Sequence, residues 1–267
     1  MSTDTDAWTV ARVRALKGRR FACVTATDAV TARWADTAGF PLILVGDSLA
    51  MTVLGHATTL PATMEAMLHH TAAVVRGAGR ALVIADMPFM SYQVSDEQAV
   101  ANAGRFLQEA GAAGVKIEGG RVRAGTVRRL VDNGIPVLGH IGLLPQSVRA
   151  MGGYPVQGRR PSDAARLVAD ARALETAGAF AIVLEGMPAA VARRITAAVG
   201  IPTIGIGAGP HCDGQILVMH DLLGLTGGRT PRFVRRYAEL GAQAVEALER
   251  FRREVEAGRF PGAEHCY

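Results

Sequence analysis

Three carboxylates in this sequence each come directly after a short apolar run that is typical of a buried strand. They are Asp47, Asp86 and Glu118. Because the carboxyl ends of parallel strands meet at one edge, we expect the three side chains to converge, where their charges would repel unless a cation neutralised them. A single acid at a strand end is commonly a helix cap. The three together instead predict a metal site for Asp47, Asp86 and Glu118, with oxygen ligands of the kind that Mg²⁺ prefers.

Lys116 is one of only two lysines in the chain, and it lies two residues before Glu118 inside an apolar run. The two-residue spacing puts both side chains on the same face of a strand. A buried ammonium needs an anionic partner. Glu118 itself could supply it as a structural ion pair, but we favour the carboxylate of a substrate.

Three further residues follow apolar runs in the same way. Glu185 is predicted to be a desolvated general base with a raised pKa, the alternative being a helix cap before Met187 and Pro188. His140 is placed to hydrogen-bond a substrate or Glu185, or to pack as a structural residue. Ser48 follows Asp47 and offers a hydroxyl or a backbone N–H to a substrate carboxylate.

The elements that position these residues alternate between short apolar runs and longer segments with helical periodicity, as in a parallel sheet. Eight runs over 267 residues fit a single-domain α/β fold, a (β/α)8 TIM barrel spanning residues 1–267, better than an open doubly wound sheet. The predicted strands are Phe21–Thr25, Leu42–Val45, Ala81–Ala85, Gly114–Ile117, Ile135–Leu138, Phe180–Leu184, Thr203–Ile206 and Ile216–His220.

The predicted helices lie between most of these strands, and one extra helix stands at each end of the chain. The extra helices, Trp8–Lys17 and Pro231 to about Ala257, are expected to plug the barrel bottom or to form an oligomer contact. Residues 139–161 are rich in glycine and proline and are typical of a loop that closes over a substrate. The helices between strands are predicted at Ala29–Ala38, Ala62–Gly77, Asp96–Gly111, Arg121–Asn133, Ser162–Ala177 and Ala189–Val199.

Composition excludes several classes of protein. Hydrophobic residues make up 49% of the chain and charged residues 20%, which is typical of a globular enzyme and not of a disordered chain. The net charge is +5, but the arginines are scattered, so no nucleic-acid partner is expected. No apolar run approaches membrane length. Three widely spaced cysteines indicate neither disulfides nor a thiolate metal site and, with no visible targeting segment, favour a cytoplasmic location.

Several motifs, taken together, closely resemble the ketopantoate hydroxymethyltransferase family from about Arg20 to His265. These motifs are Val45-Gly46-Asp47-Ser48-Leu49, Ala85-Asp86-Met87-Pro88, Val115-Lys116-Ile117-Glu118-Gly119-Gly120, Gly139-His140-Ile141-Gly142 with Pro145-Gln146-Ser147, Gly152-Gly153-Tyr154 with Gln157-Gly158-Arg159, Ile204-Gly205-Ile206-Gly207-Ala208-Gly209, and Asp213-Gly214-Gln215. The chain departs from the usual family pattern at Thr27, Leu54, Leu144 and Gly186.

The resemblance implies transfer of a hydroxymethyl group from 5,10-methylenetetrahydrofolate to 3-methyl-2-oxobutanoate, in the pathway to pantothenate and coenzyme A. It also implies Mg²⁺ and a homo-oligomer, commonly a decamer. By position, Asp47, Asp86 and Glu118 match the family's metal-site carboxylates. Ser48 and Lys116 match its oxo-acid contacts, and Glu185 matches its proton acceptor. Two rival hypotheses are a Mg²⁺-dependent lyase or mutase of the isocitrate lyase and phosphoenolpyruvate mutase type, and a barrel without catalytic activity.

Overall fold

The structure, a computed structural model, describes residues 7–227 and 230–267. Within these residues, eight parallel strands close into a barrel in which each strand pairs with its sequence neighbours and the last pairs with the first. This confirms the predicted (β/α)8 architecture. The strands are β1 Phe21–Thr25, β2 Leu42–Val45, β3 Leu82–Asp86, β4 Gly114–Glu118, β5 Val137–Gly142, β6 Ala181–Glu185, β7 Thr203–Ile206 and β8 Gly214–Leu217.

Helices follow most of the strands, as the alternating pattern predicts. Short 3₁₀ helices occur at Arg121–Arg123, Pro145–Ser147 and Ala263–His265. The α-helices are α1 Val10–Arg14, α2 Ala29–Thr37, α3 Leu49–Thr52, α4 Met64–Gly77, α5 Asp96–Gln108, α6 Ala124–Asp132, α7 Val148–Met151, α8 Pro161–Thr176, α9 Ala189–Ala198, α10 Met219–Leu222 and α11 Leu240–Glu256.

The terminal elements differ from their predicted bounds. The first helix is only Val10–Arg14, because its last turn tightens into i→i+3 hydrogen bonds before Gly18. The last helix begins at Leu240 and not at Pro231. The backbone N–H groups of Tyr237 and Leu240 donate to carbonyls of the preceding segment, at Leu222 and Leu223, and so are not used within a helix.

The eighth strand was predicted two residues too late. It begins at Gly214, which pairs with Phe21 of β1 and Ile204 of β7, and it ends at Leu217. The strand starts with glycine and glutamine, which are not apolar, so the apolar run begins only at Ile216. His220 at the predicted end lies in helix α10 instead.

The chain divides into two compact units, the first ending at Leu217 and the second running Val218–Tyr267. The first unit contains the whole barrel. In the second unit, α11 has no buried residues. The organisation of residues 1–267 as a single domain stays a prediction.

The barrel interior is filled by apolar side chains from all strands except β4, together with one residue of α1. Val13 of α1 is fully buried in this cluster, and Trp8 and Val10 pack against it. The N-terminal helix therefore plugs one end of the barrel, as the sequence predicts. The buried cluster contains Val13, Cys23, Leu42, Leu44, Leu82, Ile84, Leu138, Phe180, Ala181, Val183, Ile204 and Ile216.

Among the described residues, no helix combines the length and the apolar character needed to cross a bilayer.

Candidate active site

The topmost interior layer of the barrel is polar, although the layers below it are apolar. In β3, Leu82 and Ile84 lie in the apolar cluster, and Asp86 follows at the same two-residue spacing. Because strand side chains alternate between faces, Asp86 shares the inward face with them. The same alternation gives the layer its other members, which are Lys116 and Glu118 of β4, His140 of β5 and Glu185 of β6.

Lys116 lies at the centre of this layer. It is only 4% exposed, and its Nζ lies 2.9 Å from Asp86 Oδ1 and 3.0 Å from His140 Nδ1. Asp86 is its register partner on β3, so the two side chains are lateral neighbours. The structural ion pair therefore forms with Asp86 and not with Glu118. The contact with Asp86 is an ion pair that is not aligned as a hydrogen bond.

The pKa of Lys116 is raised above its ordinary value. Burial acts to lower this pKa, but the charges of Asp86, Glu118 and Asp47 outweigh that effect. The ammonium therefore stays protonated throughout the physiological pH range.

His140 lies within β5, not at its end as predicted, and it contacts both Lys116 and Glu185. Burial, followed by the charge of Lys116, holds its pKa well below the ordinary value, so the ring is neutral. Lysine can only donate, so Nδ1 is the acceptor and Nε2 carries the proton. Nε2 lies 3.2 Å from Glu185 Oε2, although the two groups are not aligned as a hydrogen bond.

Glu185 ends β6 beside His140. Burial raises its pKa to about 7, against the opposing charge of Lys116. Glu185 does not cap a helix, because α9 begins after Pro188 and receives no side-chain cap. A carboxylate with a pKa near neutrality is suited to accept a proton.

Asp47 and Glu118 are linked by Gln146, a residue that the search for ionisable groups missed. The Gln146 side chain donates to Asp47 Oδ2 at 2.9 Å, and its backbone N–H donates to Glu118 Oε2 at 3.1 Å. Tyr92 Oη donates to Gln146 Oε1 at 2.7 Å and accepts the backbone N–H of Glu118 at 3.0 Å. The one available signal was the Pro145-Gln146-Ser147 motif after β5.

Asp47 also contacts Asp86 directly, since its backbone N–H donates to Asp86 Oδ2 at 2.9 Å. A Cβ at Gly46 would lie 3.0 Å from Ser48 Oγ and 3.6 Å from Asp86 Oδ2, so both of these side chains lie close to this glycine. Ser48 begins α3, and its side chain forms no capping hydrogen bond. Its hydroxyl is therefore not used as a cap and lies beside Asp86.

The buried carboxylates are electrostatically unfavourable as charged groups. Burial first, and then the charge of Asp86, raises the pKa of Asp47 to about 7. Burial likewise raises the pKa of Glu118 well above its ordinary value, and Glu118 Oε1 has no hydrogen-bond partner. Among the described residues, no group of three or more His, Cys, Asp or Glu side chains is arranged as a metal site.

The long loop after β5 reaches this layer. Tyr154 is half-exposed, and its pKa is raised by burial and then by the charges of Asp47 and Glu185. Its hydroxyl therefore lies within electrostatic range of both carboxylates. Closure of the loop over a substrate stays a prediction.

The closed α/β barrel carries a buried ammonium, a carboxyl group with a pKa near neutrality and further buried acids at one rim, as TIM-barrel enzymes do. The family profile for ketopantoate hydroxymethyltransferase matches residues 7–263. The chain belongs to the ketopantoate hydroxymethyltransferase family, whose members use methylenetetrahydrofolate.

Two relatives support this assignment across nearly the whole chain. The 3-methyl-2-oxobutanoate hydroxymethyltransferase of Syntrophobacter fumaroxidans (strain DSM 10017 / MPOB) is 57% identical over 258 residues, covering 96% of this chain and 92% of the relative. The enzyme of the same name from Moorella thermoacetica (strain ATCC 39073 / JCM 9320) is 54% identical over 261 residues, covering 97% of each.

Among solved structures, a 2,3-dimethylmalate lyase, described as a member of the phosphoenolpyruvate mutase/isocitrate lyase superfamily, is similar with a TM-score of 0.60. It is 18% identical, and the match covers 95% of this chain and 90% of that one. At this identity the likeness shows a shared fold alone.

The Gln146 bridge predicts a measurable loss of stability. Gln146→Leu leaves Asp47 Oδ2, Tyr92 Oη and the Met87 carbonyl without the amide, and unsatisfied buried polar groups cost about 1–3 kcal/mol each. We expect the free energy of unfolding in urea to fall by about 2 kcal/mol or more.

The matched control is Gln108→Leu at the exposed end of α5, where a change within about 0.5 kcal/mol is expected. Equal effects of the two substitutions would show that the Gln146 contacts contribute nothing specific.

Proposed function

We propose that this chain transfers a hydroxymethyl group from 5,10-methylenetetrahydrofolate to 3-methyl-2-oxobutanoate and forms ketopantoate, in the pathway to pantothenate and coenzyme A. The observation that carries the proposal is Glu185, a desolvated carboxyl with a pKa of about 7 held against neutral His140. This is a base suited to removing a proton next to a carbonyl.

Binding of the oxo acid falls to Lys116 and Ser48. Lys116 donates to an anionic oxygen of the substrate, while its contacts with Asp86 and His140 hold the ammonium in place. The Ser48 hydroxyl, which does not cap α3, supplies a second donor at the same rim. The ammonium is held before the substrate arrives, which lowers the entropy cost of orienting it.

Proton abstraction follows from the pair His140 and Glu185. His140 Nε2 lies 3.2 Å from Glu185 Oε2, so the neutral ring packs against the carboxylate at the site of proton transfer. Glu185 then takes the proton from C3 of the oxo acid, and negative charge develops on the 2-oxo oxygen. The nearby Lys116 ammonium stabilises that charge in a site from which water is largely excluded.

The carbon–carbon bond forms when C3 of this enolate attacks the methylene carbon of the folate. The bond from that carbon to one folate nitrogen breaks as the carbon–carbon bond forms, and water then displaces the second nitrogen and supplies the oxygen of the new hydroxyl group. One nitrogen takes the proton held by Glu185 and the other takes a proton from the water, so tetrahydrofolate leaves and the base is regenerated.

The described carboxylates are not arranged as a ready metal site, but their chemistry supports a divalent cation. Glu118 Oε1 is buried without a hydrogen-bond partner, and burial, together with the neighbouring carboxylates, raises the pKa values of Asp47 and Glu118. Asp47, Asp86 and Glu118 would hold Mg²⁺, which prefers a few carboxylates completed by water and substrate oxygens. When bound, the ion would polarise the 2-oxo carbonyl as a Lewis acid.

The rival lyase or mutase rests on the shared fold alone, since the superfamily likeness is at 18% identity. Family membership at 54–57% identity favours the transferase. The buried carboxyl groups of the site have raised pKa values. Perturbed pKa values of this kind are typical of functional sites and are not needed for packing, so a barrel without catalytic activity is disfavoured.

We also place the protein in the cytoplasm and in a homo-oligomer. The free cysteines and the biosynthetic role of the family support the first. For the second, α11 exposes one apolar face whose members recur every three or four residues and are 45–67% exposed. We take a second copy of this chain as the occupant. The face consists of Val245, Leu248, Phe251 and Val255.

The base assignment predicts that Glu185→Gln slows deuterium exchange at C3 of 3-methyl-2-oxobutanoate by at least about 100-fold, because a carboxamide does not accept the proton. In the unsubstituted protein the rate should rise with pH through about 7, since only the deprotonated carboxylate is active. NMR of the oxo acid in D₂O measures both effects.

Exchange at the normal rate in Glu185→Gln would show that the base lies elsewhere. A coupled assay that omits oxo acid, folate and Mg²⁺ in turn tests the complete reaction. Folate-independent cleavage of a 2-oxo acid would instead support the lyase.

The metal assignment predicts that chelation abolishes C3 exchange and that added Mg²⁺ restores it. Asp86→Asn keeps the shape of the side chain but removes one negative charge, so the Mg²⁺ concentration for half-maximal exchange should rise more than about tenfold. Calorimetric titration with Mg²⁺ should show the same weakening without turnover. Full Mg²⁺ dependence with unchanged affinity in Asp86→Asn would place the ion elsewhere.

The oligomer proposal predicts a light-scattering mass that is a multiple of 28.1 kDa, ten copies being the expected number. Leu248→Glu places a charge on the apolar face of α11 and should lower the mass. Arg250→Glu introduces the same residue away from that face and is the matched control. A monomeric mass without any substitution would contradict the proposal.

A further inference from the structure

A cavity lies where the segments that follow β4 and β5 meet helix α8. Its volume is about 390 Å³, which is within the range of small-molecule sites. Gly119, which directly follows Glu118, and Gly142, the register partner of Glu185, both line it. The cavity therefore adjoins a proposed metal-site carboxylate and the proposed base.

One wall of this cavity is apolar. It comes from the segments that follow β4 and β5 and from α8. An apolar wall of this kind binds a flat hydrocarbon or aromatic group rather than a small ion. The side chains are Val122, Ile141, Leu144, Met151 and Leu167.

Two arginines supply the charge of the cavity. Arg121 Nε contacts Asp170 Oδ1 at 3.1 Å, and the backbone N–H of Arg121 donates to the same oxygen at 3.0 Å. This anchors the guanidinium by one edge and leaves its two Nη groups for a ligand. Gly120 permits the approach, since a Cβ there would lie 2.3 Å from the Asp170 side chain.

Arg166 is held more loosely. Its Nη2 lies 3.6 Å from Asp163 Oδ1, which is beyond hydrogen-bond distance, while Asp163 is hydrogen-bonded to Arg160. Arg166 and Arg121 are 51% and 58% exposed, so each contributes modestly to binding a charged ligand. Two guanidinium groups beside one apolar wall match an aromatic group that carries a dicarboxylate.

We infer that this cavity binds the aminobenzoyl-glutamate portion of the folate co-substrate, with the aromatic ring on the apolar wall and the glutamate carboxylates on Arg121 and Arg166. The inference rests on the proposed function for the choice of ligand.

The test is calorimetric titration with p-aminobenzoyl-L-glutamate and, separately, with p-aminobenzoate. We expect Arg121→Lys/Arg166→Ala to weaken binding of the glutamate-bearing probe about tenfold and to leave binding of p-aminobenzoate unchanged. Lysine at position 121 retains a charge for Asp170, which protects the fold, and Arg166→Ala alone removes only an exposed side chain. The control is Arg33→Ala/Arg76→Ala, two exposed arginines of α2 and α4.

Steady-state kinetics test the same inference independently. The Arg121→Lys/Arg166→Ala protein should show a raised KM for methylenetetrahydrofolate, and more so for its polyglutamylated form. Its folate-free C3 exchange and its KM for the oxo acid should not change. No binding of p-aminobenzoyl-L-glutamate to the unsubstituted protein, or an equal loss in the control, would overturn the inference. Because the titrations need no turnover, failure of the proposed reaction is read separately from failure of the cavity assignment.

Discussion

The buried ammonium of Lys116 is the interaction on which the rest of this site depends. It is 4% exposed, and its charge interacts with four carboxyl groups, those of Asp47, Asp86, Glu118 and Glu185. Isolated buried charges cost several kcal/mol each, so one ammonium compensates Asp86 but not Asp47, Glu118 and Glu185 as well. The remaining negative charge must be neutralised by protons or by a cation. The raised pKa values of Asp47 and Glu185 favour neutralisation by protons. A Mg²⁺ ion at the proposed metal site would provide neutralisation by a cation.

The central part of this arrangement follows from the sequence because it obeys a two-residue period. Once Leu82 and Ile84 are taken as interior residues, Asp86 must share their face, and the same step relates Lys116 to Glu118. Parallel register then brings Asp86 beside Lys116 and Glu118 beside His140. Strand-end position and the alternation rule therefore predict which ionisable residues converge, although the expected partner of Lys116 was Glu118 or a substrate carboxylate and not Asp86.

Residues outside the strands could not be placed in this way. Gln146 and Tyr92 lie in loops, and their contacts with Asp47 and Glu118 depend on how those loops fold over the rim. The start of α11 was missed for a similar reason, because nearby N–H groups bond to carbonyls of the α10 segment and not to their own turn. Periodicity describes local geometry, whereas these contacts join segments with no common period.

The barrel centre holds one buried ammonium among several carboxyl groups, and this imbalance limits how the site can work. The carboxyl groups by themselves would repel an anionic 2-oxo acid. Lys116 is the positively charged group among them, and its ion pair with Asp86 fixes its position. The carboxyl groups that the ammonium does not compensate remain available to hold a cation or to accept a proton.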